Sequence, residues 1–530
     1  MVAKRVVAKT DTSVANSRVV EIGSVGLSGA DVVAVARAGA QVRLTDHALA
    51  AIARSRKTVD RLAASPTPVY GVSTGFGALA TSHIPVQRRA DLQRSLIRSH
   101  AASTGGETDR EVVRALMLLR LRTLASGWTG VRPETATALA GLLNAGITPI
   151  VGEYGSLGCS GDLAPLAHVA LALMGEGEVR DGGGVAQSAA QALACAGLTG
   201  LTLAEKEGLA LINGTDGMLG MLLMAAADLH ALVVAADISA AMSVEALLGT
   251  NRVYAEDLQA LRPHPGQAIS AANLRTLLAD SEIVASHQVD PANCPIVQDA
   301  YSLRCAPQVT GAVRDTLAHA EAVADRELTS VIDNPVLLPD GRVESNGNFH
   351  GAPVGYVLDF LAIAVADLAS ISERRTDRLL DPARSHGLPP FLAGDPGVDS
   401  GHMIAQYAAA GIVSELKRLA APASVDSIPS SAMQEDHVSM GWAAGLKLRR
   451  AIDGLRRVLA IEVLTAARAL DFRAPLSPAP GTASARAAVR TRVEGPGPDR
   501  FLAPEIEAVV RLLESGELIG AVEAVTGPLP

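Results

Sequence analysis

Aromatic side chains are scarce in this sequence: two Trp, six Tyr and six Phe make up 3% of 530 residues. A core of stacked rings is excluded, and the interior falls to Ala, Leu, Val and Ile, which suit close helix packing better than sheets. Cysteine is rarer still. Cys159, Cys195, Cys294 and Cys305 form no CxxC pair and are too dispersed to staple so long a chain, which excludes a disulfide framework and fits a reducing compartment. Among the 12 histidines there is no HExxH or other paired-ligand spacing, so no metal is expected. Positive charge is nowhere concentrated. The 46 Lys and Arg against 55 Asp and Glu leave a net charge of −9 spread along the chain, which excludes nucleic acid and an anionic membrane surface as partners. Apolar runs are interrupted, by Asp228 and Asp237 between Met218 and Met242 and by Asn144, Gly146 and Pro149 between Ala136 and Val151, so no membrane-spanning segment is expected. The opening MVAKRVVAKTDTSVANS lacks the apolar run of a secretory signal; residues 1–20 read as a flexible tail, and the expected location is the cytoplasm.

What the chain does have is apolar material, 48% of residues against 19% charged. The apolar period is helical. Val112, Val113, Leu116, Leu119 and Leu121 to Leu124 recur at that spacing with arginines between them, which predicts an amphipathic helix with the arginines on its outer face. After SNGNFHGAP, Pro353 stands where a first helical residue would, and Leu358, Leu361, Val365, Leu368 and Ile371 carry the pattern to Leu379. Further helices are expected over Ala204 to Ile212, Met218 to Leu248, Val309 to Ile332, His402 to Leu419 and Met440 to Asp471, with a last short one over 504–515. Strand-like alternation is confined to short pieces such as Gln41 to Leu44. The Pro-, Gly- and Ala-rich stretch APLSPAPGTASARAAVRTRVEGPGPDR reads as surface winding. The fold class is therefore mainly all-α: an elongated bundle of long helices carrying polar loops, with few short strands.

Gly-, Ser-, Asn- and Pro-rich segments separate these helices, and a rigid helical frame with polar loops is a common way to present a site. GVSTGFG lacks the GxGxxG spacing of a dinucleotide fold, and GSLGCSGD lacks the Lys and Ser/Thr of a phosphate loop. The densest loop chemically runs from Gly155 to His168. There Ser160, between small neighbours on a turn leading into a helix, fits a nucleophile, a helix N-cap or an oxyanion contributor.

This loop resembles the signature of the aromatic amino-acid ammonia-lyases and aminomutases, whose usual form is an Ala-Ser-Gly-Asp-Leu run. The similarity extends over nearly the whole chain from residue 20 onward. It implies that Cys159, Ser160 and Gly161 form a prosthetic group without any other enzyme. The Gly amide nitrogen attacks the carbonyl of the first residue, and loss of two waters, one carrying the Ser hydroxyl, leaves a 4-methylideneimidazole-5-one ring. The residue types suit the task, since Gly has no Cβ to obstruct a strained turn and Ser carries a β-leaving group. Cys159 replaces the usual Ala, and its side chain stays outside the ring, where the thiol either packs or has a role of its own.

Three further segments, Leu92 to His100, Gln298 to Cys305 and Gln434 to Met440, resemble those members of the family that act on histidine. The implied reaction is elimination of ammonia from L-histidine to give trans-urocanate, the first step of histidine degradation, with the ring as the only cofactor. By the same resemblance Tyr70 is the first choice for the base that takes the β-proton, with Tyr301 as base or as a holder of the amine. Either tyrosinate at neutral pH calls for a positive local field, from helix N-termini or Arg304. Arg304 lies three residues past Tyr301, and its planar fork suits the substrate carboxylate. Asn213 and Gln298 resemble the amides that hold ring and amine, Phe349 the aromatic beside the ring, and His100 and Glu435 the partners of the substrate imidazole. Met433 stands where many relatives have Asn. Asp162 either aids cyclisation or caps the helix that follows, and His168 and His437 are expected to make structural hydrogen bonds. The resemblance also implies a homo-oligomer, a tetramer whose sites combine loops of several subunits.

The implied organisation is one continuous catalytic unit: an N-terminal region over 21–220 with the ring-forming loop, a central long-helix bundle over 221–475 and a C-terminal segment over 476–530. The alternatives left open are a tyrosine or phenylalanine ammonia-lyase or 2,3-aminomutase with the same ring, and an inactive helical scaffold.

Overall fold

The computed structural model describes residues 18–23, 26–65, 67–287 and 297–530. Most of the expected tail, and Cys294, lie outside the described residues. The described part is mainly helical as expected, with 20 α-helices and only short strands. It divides into two compact units; four of the five boundaries fall inside the four longest helices and the fifth follows Met403–Leu419.

The first unit comprises residues up to Met224, Ala320–Asp359 and Pro422–Leu446. Its strands are brief. Val19–Ile22 pairs in parallel with Gln41–Leu44, Thr104–Glu107 pairs antiparallel with Gly152–Tyr154, and Glu178–Arg180 lies between Thr148–Pro149 and Ala186–Ser188. At its centre is the helix Arg110–Ala125, buried continuously from Val112 to Ala125. This overturns the expected outward arginine face: Arg114, Arg120 and Arg122 are buried with the leucines. Each guanidinium is satisfied by oxygens of the surrounding fold. Arg114 donates to the carbonyls of Val35 and Leu143, Arg122 to that of Ser330, and Arg120 to the Asp216 carboxylate and to the carbonyls of Ala210, Asn213 and Ile332. Five donors on a rigid planar fork let arginine enter a core where carbonyl oxygens converge.

The second unit comprises Ala225–His319, Phe360–Ala421 and Lys447–Pro530. Glu462 anchors its interior, paired with Arg375 and accepting from the hydroxyls of Ser239, Ser243 and Ser372. The stretch expected to wind over the surface contains the helix Pro480–Arg490, which packs on Glu517–Thr526. Pro480 occupies the first helical position, where its missing N–H costs nothing.

The long helices fall close to their expected bounds: Asp216–Ala246, Ala306–Thr329, Ala352–Leu380 and Gly441–Asp471. In the first, Ala, Leu and Met favour helix throughout and Asp216 complements the dipole of the first turn. Asp228 and Asp237 do not remove it, or Ala352–Leu380, from the range of length and apolarity that could cross a membrane. Burial inside the fold, 78% and 61% of the most apolar windows, marks both as core helices.

Candidate active site

The chemistry-bearing loop is a tight turn. Gly161 N–H donates to the Gly158 carbonyl at 3.4 Å, and the backbone takes positive φ at Gly158 (76°), Ser160 (50°) and Gly161 (85°). A non-glycine residue such as Ser160 is strained there, and such strain persists only where the surroundings enforce it. They do so from two sides. Gly161 bridges to Gly214 and Asp162 N–H donates to the Gly214 carbonyl at 2.7 Å, while a Cβ on Gly161 would overlap that carbonyl. On the other side Met440 N–H donates to Leu157 O at 3.0 Å, and a Cβ on Gly158 would overlap the Ser439 hydroxyl. A Cys-Ser-Gly turn bent this sharply, with glycine required where the backbone is closest, fits the tripeptide that cyclises.

Asp162 is fully buried behind the turn. Its carboxylate does not cap the helix Leu163–Leu173 that follows. It accepts from Gly217 N–H and Met218 N–H, both at 2.9 Å, at the start of Asp216–Ala246, and from the Ser156 hydroxyl at 2.9 Å. Burial dominates these bonds and pushes the carboxyl up to about 7.

Asn213, next to Gly214, is 1% exposed; its amide donates to Asn334 O at 2.7 Å and its Oδ1 has no partner among the described residues. Asn334 Oδ1 accepts from Asn346 N–H, and the Asn346 amide donates to Asp333 O, which fixes the loop that carries Phe349. Lys206 and Asp333 form a fully buried ion pair at 2.7 Å.

The Tyr70 hydroxyl accepts from Gly77 N–H at 3.4 Å, and the Phe76 ring meets the Tyr70 ring edge-on at 6.3 Å. Burial, then the charges of Glu435 and Asp333, push the Tyr70 phenol upward, opposite to the positive field expected around a working tyrosinate. His100 Nδ1 faces the Leu96 carbonyl at 2.9 Å, which places the ring proton on Nδ1 and leaves Nε2 as acceptor in the neutral ring. Burial lowers its affinity for a second proton, while the nearby Glu435 charge opposes that shift. His168 Nε2 accepts from Ser103 N–H, the structural bond expected, and His437 stacks on His350 with centroids 5.6 Å apart.

The Cys159 thiol lies beside Ser430 and Glu435, and burial with the Glu435 charge pushes it up to about 11, so it stays a thiol. The first unit thus brings together Tyr70, His100, Cys159, Ser160, Gly161, Asn213 and Glu435. Sequence reading missed the supporting residues Ser430, Asn334, Asn346 and the Lys206–Asp333 pair; Ser430 and Asn346 were signalled only by position in polar loops, and Lys206 lay within an expected helix.

Gln298, Tyr301 and Arg304 belong to the second unit. The expected shared face of the last two is present: Tyr301–Arg304 is a four-residue helix, and the Arg304 guanidinium sits 4.6 Å from the centroid of the Tyr301 ring. Tyr301 is 70% exposed, and Arg304 Nε is buried without a partner among the described residues. The helix is held from behind by Tyr254 OH to Leu303 O at 2.9 Å and by Arg375 to Ser302 O at 3.3 Å.

Residues 27–491 match the family model described as aromatic amino acid lyase. The chain belongs to the aromatic amino acid lyase family. A histidine ammonia-lyase of Streptomyces avermitilis is 65% identical over 511 residues, 96% of this chain and 99% of that one. Among solved lyases and aminomutases, the tyrosine aminomutase of Streptomyces globisporus is similar with a TM-score of 0.91 and 38% identity, over 96% of this chain and all of that one. The histidine ammonia-lyase of Trypanosoma cruzi is similar at 0.88 and 37%, over 96% of each chain. Family membership thus extends over both units.

Proposed function

We propose that this chain is the lyase that eliminates ammonia from L-histidine to give trans-urocanate, the first step of histidine degradation. The observation that carries the reading is the clamped Gly158–Gly161 turn, with strained Ser160 at its apex and the Cys159 side chain against Glu435. The high identity to a histidine ammonia-lyase supports the choice of substrate.

Cys159, Ser160 and Gly161 are the residues that would form the methylideneimidazolone. When formed, that ring supplies an electrophile for the substrate amine, which no ordinary side chain offers. Gly214 O, Ser439 and the Asp162 carboxylate hold the turn in place. Glu435 Oε1 accepts the substrate ring N–H, and His100 Nε2 offers a second polar contact. Asn213 and Gln298 orient the amine and ring, and Phe349 lies beside them. Arg304 grips the carboxylate in its fork, and Tyr70 Oη takes the β-proton, with Tyr301 assisting at the amine.

The reading includes one continuous catalytic unit, a cytoplasmic location and a homotetramer. The stripe Tyr356, Phe360 and Ile363 at i, i+4 and i+7 of Ala352–Leu380, exposed by 59, 48 and 46% in the single chain, supports self-association.

The test is a product assay with each candidate amino acid, beside the intact mass. Urocanate from histidine and a mass two waters below the encoded value are expected. Coumarate, cinnamate or a β-amino acid would move the assignment to the tyrosine or phenylalanine branch. An unmodified mass with no turnover would make the chain a scaffold.

A further inference from the structure

Glu435 is held by a device that the reaction as proposed does not call for. Between Ser430 and Glu435 the chain reverses through three consecutive non-glycine residues at positive φ, Ser431 (52°), Ala432 (52°) and Met433 (67°). The two ends are pinned by paired backbone bonds, Ser430 N–H to Glu435 O at 2.9 Å and Glu435 N–H to Ser430 O at 3.3 Å. Across that bridge the Ser430 hydroxyl donates to Glu435 Oε2 at 2.9 Å. The other oxygen, Oε1, faces the Tyr70 loop, 3.9 Å from where a Cβ on Gly77 would sit.

We propose that Ser430 is a positioning residue for Glu435, fixing one carboxylate oxygen so that the other is aimed at a ring N–H of the substrate. This rests on the reading of Glu435 as the imidazole partner. A carboxylate on a two-carbon stem turns freely about its last bond unless one oxygen is engaged, and a charge-assisted bond from a neighbouring hydroxyl removes that freedom. The consequence is selectivity. A ring that offers an N–H gains a preset acceptor, whereas a phenyl ring leaves a held, desolvated carboxylate unsatisfied.

The experiment compares S430A, S430T and E435Q with the wild type. The readouts are KM and kcat for histidine, the dissociation constant of urocanate by titration, and the intact mass to confirm ring formation in each. Loss of Ser430 is expected to raise KM and the urocanate dissociation constant together by about tenfold, the scale of one hydrogen bond to a charged group, with kcat changed far less. S430T, which keeps the hydroxyl, restores both. An impaired E435Q beside an S430A with unchanged KM and urocanate binding would overturn this inference alone. An E435Q enzyme with unchanged KM would overturn the reading of Glu435 and the inference with it.

Discussion

Lys206 Nζ and Asp333 Oδ2 meet at 2.7 Å with both side chains fully buried against the Tyr70 loop, where a Cβ on Gly71 would come within 3.4 Å of the Lys206 stem. Asp333 is one of two carboxylates whose charge, after burial itself, raises the Tyr70 phenol. If Tyr70 is the base, its active form grows with pH, and kcat/KM is expected to rise on the alkaline side of neutrality. Asp333→Asn removes a negative charge near Tyr70, so the alkaline limb should move to lower pH. A limb that does not move would refute the coupling. Lys206→Met strands the buried carboxylate and should cost about 3–5 kcal/mol, read as a lowered Tm.

Ser160→Ala should give a folded protein with almost no turnover and without the two-water loss in intact mass; activity near the wild type would sink the ring. Gly161→Ala should abolish maturation too, with lowered stability, because its Cβ would overlap the Gly214 carbonyl at a φ of 85° that L-residues avoid.

Met433 sits at φ 67° and is 72% exposed, so nothing in its packing offsets the left-handed backbone. Asparagine tolerates that region better than methionine. Met433→Asn is expected to stabilise by about 1 kcal/mol in denaturant unfolding, with no change in kcat.

His402 is buried near Arg468, Arg490 and Arg500; burial first and then these charges push its imidazole down to about 3. Its folded pKa lies below the unfolded value near 6.5, so its contribution to stability is present above that value and lost as pH falls towards 3. Asp162 has the opposite sign: with a folded value of about 7 its contribution is full below about 4 and is lost as pH rises through 7. His402→Gln should flatten the acid side of a Tm-against-pH curve. An unchanged acid slope would show that His402 does not govern it.

The helices were legible because their composition and period are undisguised. Met218 to Leu248 was expected and Asp216–Ala246 is found, shifted by two residues at each end. The Gly158–Gly161 turn stood out in the sequence because the chemistry proposed for it demands particular residues. Arg114, Arg120 and Arg122 were not, since periodicity assigns a long charged side chain to solvent, and only the tertiary fold supplies the carbonyls that admit it. The helix Pro480–Arg490 was hidden by Pro, Gly and Ala that elsewhere mark loops. The Ser430–Glu435 reversal has no glycine to announce its left-handed backbone.

The clamp on the Gly158–Gly161 turn draws one side from Gly214 and the other from Ser439 and Met440. During synthesis the first side emerges long before the second. The chain can therefore complete the clamp only after most of its length has been made and packed, so the proposed cyclisation would be deferred until the fold is in place. If the turn cyclises as proposed, the protein would keep a chemical record of its own folding: a two-water loss would distinguish, molecule by molecule, chains that closed around the turn from chains that never did.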